Sequence, residues 1–169
     1  KLLKEYNKKH NITLWSYDAM FDSGAFKENA LREGVKLTKL TDNWQCIMML
    51  ATHFLSQTGI DVKFANWAVE VAYYNYSDNK NKILEYITPI GNIRTTAQNV
   101  YRFITDDINF VELHKGLQDT ECEKEILKWC QGHKGWTKVD TIPGGGWRKA
   151  NYDFVMRKKE EGGSVGHLL

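Results

Sequence analysis

The amino-acid sequence predicts a mainly α-helical fold: a compact domain of about six helices with a short extended or loop segment near the C-terminus. Three observations predict it. Capping residues recur just ahead of apolar runs. Within those runs the apolar residues repeat at three and four positions rather than two. Only Trp136 to Ile142 alternates in the manner of a strand, and only loosely.

Each helix is argued from its own punctuation. Ser23 can cap a first segment with Phe26, Ala30 and Leu31 on one side, and Gly34 is placed to stop it in the left-handed conformation. Asp42 with Gln45 makes a capping box ahead of Trp44 to Leu55, a helix of about 15 residues ending before Gly59. In that helix Cys46 falls in the first turn. Asp61 then caps a helix in which Phe64, Trp67, Ala68, Val71 and Tyr74 recur at helical spacing, up to the breakers Ser77, Asp78 and Asn79. At this spacing Trp67 and Tyr74 are core residues, while Tyr73 and Tyr76 are candidates for an exposed binding surface. Two helices follow, Lys80 to Ile87 and Asn92 to about Thr105, separated by a turn at Thr88-Pro89-Ile90-Gly91. Thr120 with Glu123 forms a further capping box before Ile126, Leu127 and Cys130, and Gly132 closes that helix.

The clearest breaker, Pro143-Gly144-Gly145-Gly146, divides a helical domain, 1–142, from a Gly-hinged basic tail, 143–169. These glycines lack the Gly-Lys-Ser/Thr ending of a P-loop and the spacing of a dinucleotide fingerprint, so a hinge is the better reading. No internal repeat or sustained heptad is present.

Composition restricts the class. A hydrophobic fraction of 42%, a charged fraction of 26% and an aromatic fraction of 12% suit a globular core and argue against disorder. The longest apolar stretches, such as Cys46 to Ala51, fall far short of the roughly 18 to 20 residues of a membrane span, so no membrane association is expected. Lys1 to His10 lead into no apolar signal region. Three cysteines, an odd number, fit reduced thiols in a cytoplasmic protein. No cofactor is expected.

Two constellations carry chemistry. In the first, Ile93 to Ile104 presents Arg94, Thr95, Gln98, Asn99 and Arg102 as the polar side of a helix-turn-helix-like second helix. Such side chains neutralise phosphates and contact base edges. The tail adds Trp147, Arg148, Lys149, Tyr152, Phe154, Arg157, Lys158 and Lys159, interleaving rings with cations as single-stranded nucleic acid requires. From Lys134 to Lys159 there are seven Lys or Arg against two Asp. A solvated polar face and a basic helix packed on the body are the plainer explanations of the same residues.

In the second, Cys46 at a helix N-terminus would be a nucleophile with a stabilised thiolate. His53 is about 10 Å away along the helix, so the base would have to be His114, His133 or His167 brought in by the fold, with His133 and Asp140 as candidate base and orienter. A buried inert thiol is the competing reading. Zinc is not expected at Cys122, Cys130 and His133, because eight helical residues separate the sulfurs by about 12 Å. The carboxylate pairs Glu28/Glu33 and Asp106/Asp107 are indistinguishable from surface charge.

The expected function is non-enzymatic binding of nucleic acid. The alternatives are a protein-interaction or assembly module of viral or mobile-element type, and a Cys46 hydrolase.

Overall fold

The structure, a computed structural model, describes residues 13–35, 44–57, 59–76 and 79–133. The expected Asp42 cap, the strand-like 136–142, the hinge at 144–146, Asp140 and the tail residues from Trp147 to Lys159 lie outside the described residues, as do the side chains of Tyr73 and Tyr74. Strand β1 (Leu14–Ser16) leads into helix α1 (Ala19–Arg32), and strand β2 (Trp44–Cys46) runs directly into α2 (Ile47–Leu55). Then come α3 (Ile60–Tyr76), α4 (Lys80–Tyr86), α5 (Ala97–Thr105) and α6 (Leu117–Gln131). The described residues are thus mainly helical, with six helices and one two-stranded parallel sheet that pairs Leu14 with Trp44 and Ser16 with Cys46.

That sheet corrects two boundaries. Trp44 to Cys46 is strand, so the second helix starts at Ile47 and Cys46 is its N-cap residue rather than a member of its first turn. No side chain caps this helix. The carbonyl of Tyr17 serves instead, accepting from the Met48 amide at 3.1 Å and from the Cys46 thiol at 3.2 Å. An acceptor supplied by another segment removes the need for a local Asp or Ser.

The first helix starts four residues before Ser23, because Asp18 is the cap and its side chain accepts from the Phe21 amide. Its end follows the sequence. Gly34 has φ +65°, Val35 N–H donates to Ala30 O at 2.8 Å, and Gly34 N–H donates to Leu31 O at 3.1 Å, the two bonds of a Schellman stop. Two other caps are shifted. Asp61 lies inside the first turn of α3 and accepts from Gly59 N–H, while Thr120 lies inside α6 and donates its hydroxyl to Gly116 O at 2.8 Å.

The α4–α5 corner is longer than a helix-turn-helix. Thr88 to Gly91 do turn, with Gly91 N–H donating to Thr88 O, but Ile93 then pairs with Ile87 as an antiparallel bridge. The second helix begins only at Ala97, capped by Thr96. Residues 87–96 thus form a non-helical excursion, closed where Thr88 N–H donates to Asn92 O at 2.7 Å and Arg94 N–H to Tyr86 O at 2.8 Å.

The core collects one face from every helix but α1: Ile47, Leu50, Phe54 and Leu55 of α2, Phe64, Ala68 and Ala72 of α3, Tyr86 of α4, Val100 of α5, and Cys122, Ile126 and Cys130 of α6. Trp67 belongs with it, stacked on Phe64 and edge-on to Phe103 and Tyr86. Tyr76 is not a free surface ring, since it is half-buried and stacks on Tyr86 at 6.1 Å. Helix α6 packs on both α2 and α5, which brings the chain just before it against the 87–96 excursion.

Candidate functional site

Helix α5 does not present the polar face expected of it. Arg102 is 3% exposed, and Asn99 is also buried. Arg102 Nε donates to Phe110 O at 2.7 Å, Nη1 donates to the Tyr86 hydroxyl at 2.7 Å, and the guanidinium lies over the Tyr86 ring at 5.4 Å. Asn99 Nδ2 donates to Glu85 O and Arg94 O. These two side chains satisfy loop carbonyls that would otherwise be buried without partners, which explains why such polar residues sit inside. Gln98, also half-buried, accepts the Glu112 amide at 2.9 Å. Helix α5 therefore pins residues 106–116 to the bundle. Of the cationic side chains expected there, only Arg94 opens onto a cleft.

Of the cysteine constellation, Cys46 and His133 are described and Asp140 is not. The Cys46 thiol is donated to Tyr17, whereas His133 Nδ1 lies 2.8 Å from Trp129 O and its ring packs on Phe54. Burial raises the Cys122 and Cys130 thiols to about 12, so both are inert at neutral pH. Asp106 and Asp107 shape the turn after α5: Asp106 takes the left-handed conformation, and Asp107 accepts from the Asn109 amide.

What the fold brings together is a cleft of about 570 Å³. Tyr17, Asp18, Phe21 and Asp22 form one wall at the start of α1, and Thr88 with Asn92 to Ala97 forms the opposite wall. Met48 adds an apolar contact, while Glu112, His114 and Glu123 close the end. The Tyr17 hydroxyl joins the walls by donating to Thr95 O at 2.5 Å. A second recess of about 340 Å³ shares Arg94, Thr96, Glu112 and His114.

The electrostatics are unbalanced. Asp18, Asp22, Glu112 and Glu123 face the cleft, against the single guanidinium of Arg94. Burial pushes the Glu123 carboxyl up to about 7; a backbone hydrogen bond from Tyr17 opposes the shift, and the charges of Asp22, Glu112 and Asp119 add to it. Burial also raises Glu112, which His114 partly offsets. The Nε of Arg94 is buried and has no hydrogen-bond partner among the described residues. The cleft thus holds a carboxyl raised toward neutrality by burial along with a buried guanidinium nitrogen.

One ligating atom each from Glu112 and His114, which line the cleft, and from Asp119 lie within 4.8 Å of one another. Sequence pattern marks neither Glu112 nor Asp119, nor Glu123 as an acid, and marks His114 only as one of three histidines that could serve Cys46. The available signal was a Glu-x-His pair in a segment without helical periodicity, followed by an acid in the first turn of a helix. No family model matches the chain, and no curated protein or solved structure matches it.

Proposed function

We propose that the cleft between α1 and the 87–96 excursion binds a small polar molecule carrying a protonated amine. The observation that carries this is the convergence of Asp18, Asp22, Glu112 and Glu123 on one cavity where, among the described residues, Arg94 is the one Lys or Arg. An amine would satisfy the carboxylates. A carboxylate or hydroxyl elsewhere on the same ligand would meet the unpaired Nε of Arg94. Phe21 and Met48 offer apolar contact for its carbon skeleton.

Isothermal titration calorimetry against amino acids, aminosugars and polyamines tests the idea. At least one class should bind in the micromolar to millimolar range, more tightly at pH 8 than at pH 6, because Glu123 is ionised at the higher pH. Glu123→Gln should flatten that pH dependence. Binding confined to neutral or anionic compounds sinks the reading.

Nucleic-acid binding is proposed as a second reading, now narrowed to Trp147, Arg148, Lys149, Tyr152, Arg157, Lys158 and Lys159. Charge segregation favours it: the described residues hold more Asp and Glu than Lys and Arg, although the whole chain carries +2. Arg94 lines the acidic cleft and Arg102 is buried, so neither adds to the tail's cations. Neutralising the five tail cations should lower affinity for a single-stranded oligonucleotide and flatten its salt dependence. Unchanged affinity in a filter-binding assay rejects it. The proposed setting is cytoplasmic, supported by three free cysteines, two of them buried.

A further inference from the structure

The end of the cleft differs chemically from its walls, because it combines two carboxylates with an imidazole. We propose that Glu112, His114 and Asp119 form a site for one borderline divalent cation, Zn²⁺ in the first instance, with a coordination position open to the cleft. The proposal deepens the cleft reading, since Glu112 and His114 also line that cavity, but it is tested without any organic ligand.

Geometry is the first support. The three ligating atoms lie within 4.8 Å of one another, and ligands about 2.1 Å from a tetrahedral ion stand about 3.4 Å apart. Side-chain adjustments of about 1 Å close that gap. The ligands come from two pieces of chain: Glu112 and His114 are two residues apart in the segment before α6, and Asp119 is in the first turn of α6.

A second support is an orphaned acceptor. Asp119 Oδ1 is buried and has no hydrogen-bond partner among the described residues. A carboxylate oxygen shielded from water and given no donor is costly, and a cation removes that cost.

A third is the support behind the ligands. The Glu112 amide donates to Gln98 Oε1, and the same segment is anchored through Phe110 O to buried Arg102. Metal sites rely on such outer contacts to hold ligands in place. The donor set, one nitrogen and two oxygens, suits Zn²⁺ or Mn²⁺ better than Cu⁺ and excludes a thiolate site. Three protein ligands with a fourth position free is the arrangement in which a bound water becomes acidic or a ligand's polar group is held.

The test uses the full chain. Zn²⁺ titration by calorimetry, with Co²⁺ absorption as a spectroscopic probe, should give one ion per chain and a spectrum without thiolate charge transfer. His114→Ala and Asp119→Asn should each weaken Zn²⁺ binding at least tenfold. Gln98→Ala, a positioning variant, should weaken it about tenfold while the one-ion stoichiometry is kept. Circular dichroism reports whether each variant folds, and His114 is an exposed loop residue whose replacement leaves the core intact. Loss of zinc binding in folded His114→Ala supports the site. Zinc binding unchanged in that variant, a thiolate band, or no zinc binding by the wild-type chain overturns it. Failure to bind zinc leaves the amine reading standing, and failure to bind amines leaves this one standing.

Discussion

Arg102 shows how the same residue type can serve a phosphate or a fold. As read from sequence it belonged to a polar stripe, yet its guanidinium spends two donors on Phe110 O and the Tyr86 hydroxyl, with Glu85 3.8 Å away. Arg102→Ala leaves those acceptors buried and should cost about 2–4 kcal/mol in urea unfolding. Arg102→Lys should recover less than half of that, because one ammonium cannot span two acceptors set for a fork. Glu123 presents the opposite case. Its folded carboxyl at about 7 stands above the unfolded value, so the folded state binds the extra proton between the two. Its contribution to stability is full below the unfolded value and is lost as pH rises through 7. Glu123→Gln should therefore raise stability at pH 8 by about 1.5 kcal/mol, allowing for the half-exposed site, and change little at pH 4. Thermal melts at the two pH values measure the difference.

At the scale of the element, α1 separates two kinds of glycine. Gly24 lies within the helix and Gly34 takes a positive φ at its end, and an added Cβ meets nothing within 4 Å at either. Sterics being equal, only backbone preference differs. Gly24→Ala should stabilise by about 0.5–1 kcal/mol, and Gly34→Ala should destabilise by about 1 kcal/mol. Equal effects in the two variants would contradict the Schellman stop. The stop at Gly34 was legible because glycine punctuation acts locally. The start of α2 was not, since its cap is a carbonyl 31 residues upstream, that of Tyr17 accepting from Met48. Both strands escaped notice for a related reason. Three residues are too few to display alternation, and Trp44-Gln45-Cys46 merges with the apolar run of the helix behind it.

For the molecule as a whole, the class and most helices were legible, whereas the site was not. Its walls come from residues 17–22, 88–97 and 112–123, brought together by the packing of α6 on α5 and by buried Asn99 and Arg102. No spacing rule joins such distant segments. Glu123 was moreover accounted for as a capping partner of Thr120, although the helix starts earlier, at Leu117.

The Tyr17 hydrogen bond to Thr95 joins residues 78 positions apart, both of which line the cleft. So long a loop is expensive to close early, so this bond should form after the transition state for folding. Tyr17→Phe should then accelerate unfolding about fivefold while leaving the refolding rate unchanged, as stopped-flow chevrons would show. A slowed refolding limb would instead place the closure inside the nucleus. With the refolding rate unchanged, the cleft is a late product of folding, the last part of the molecule to be shut and the first to reopen.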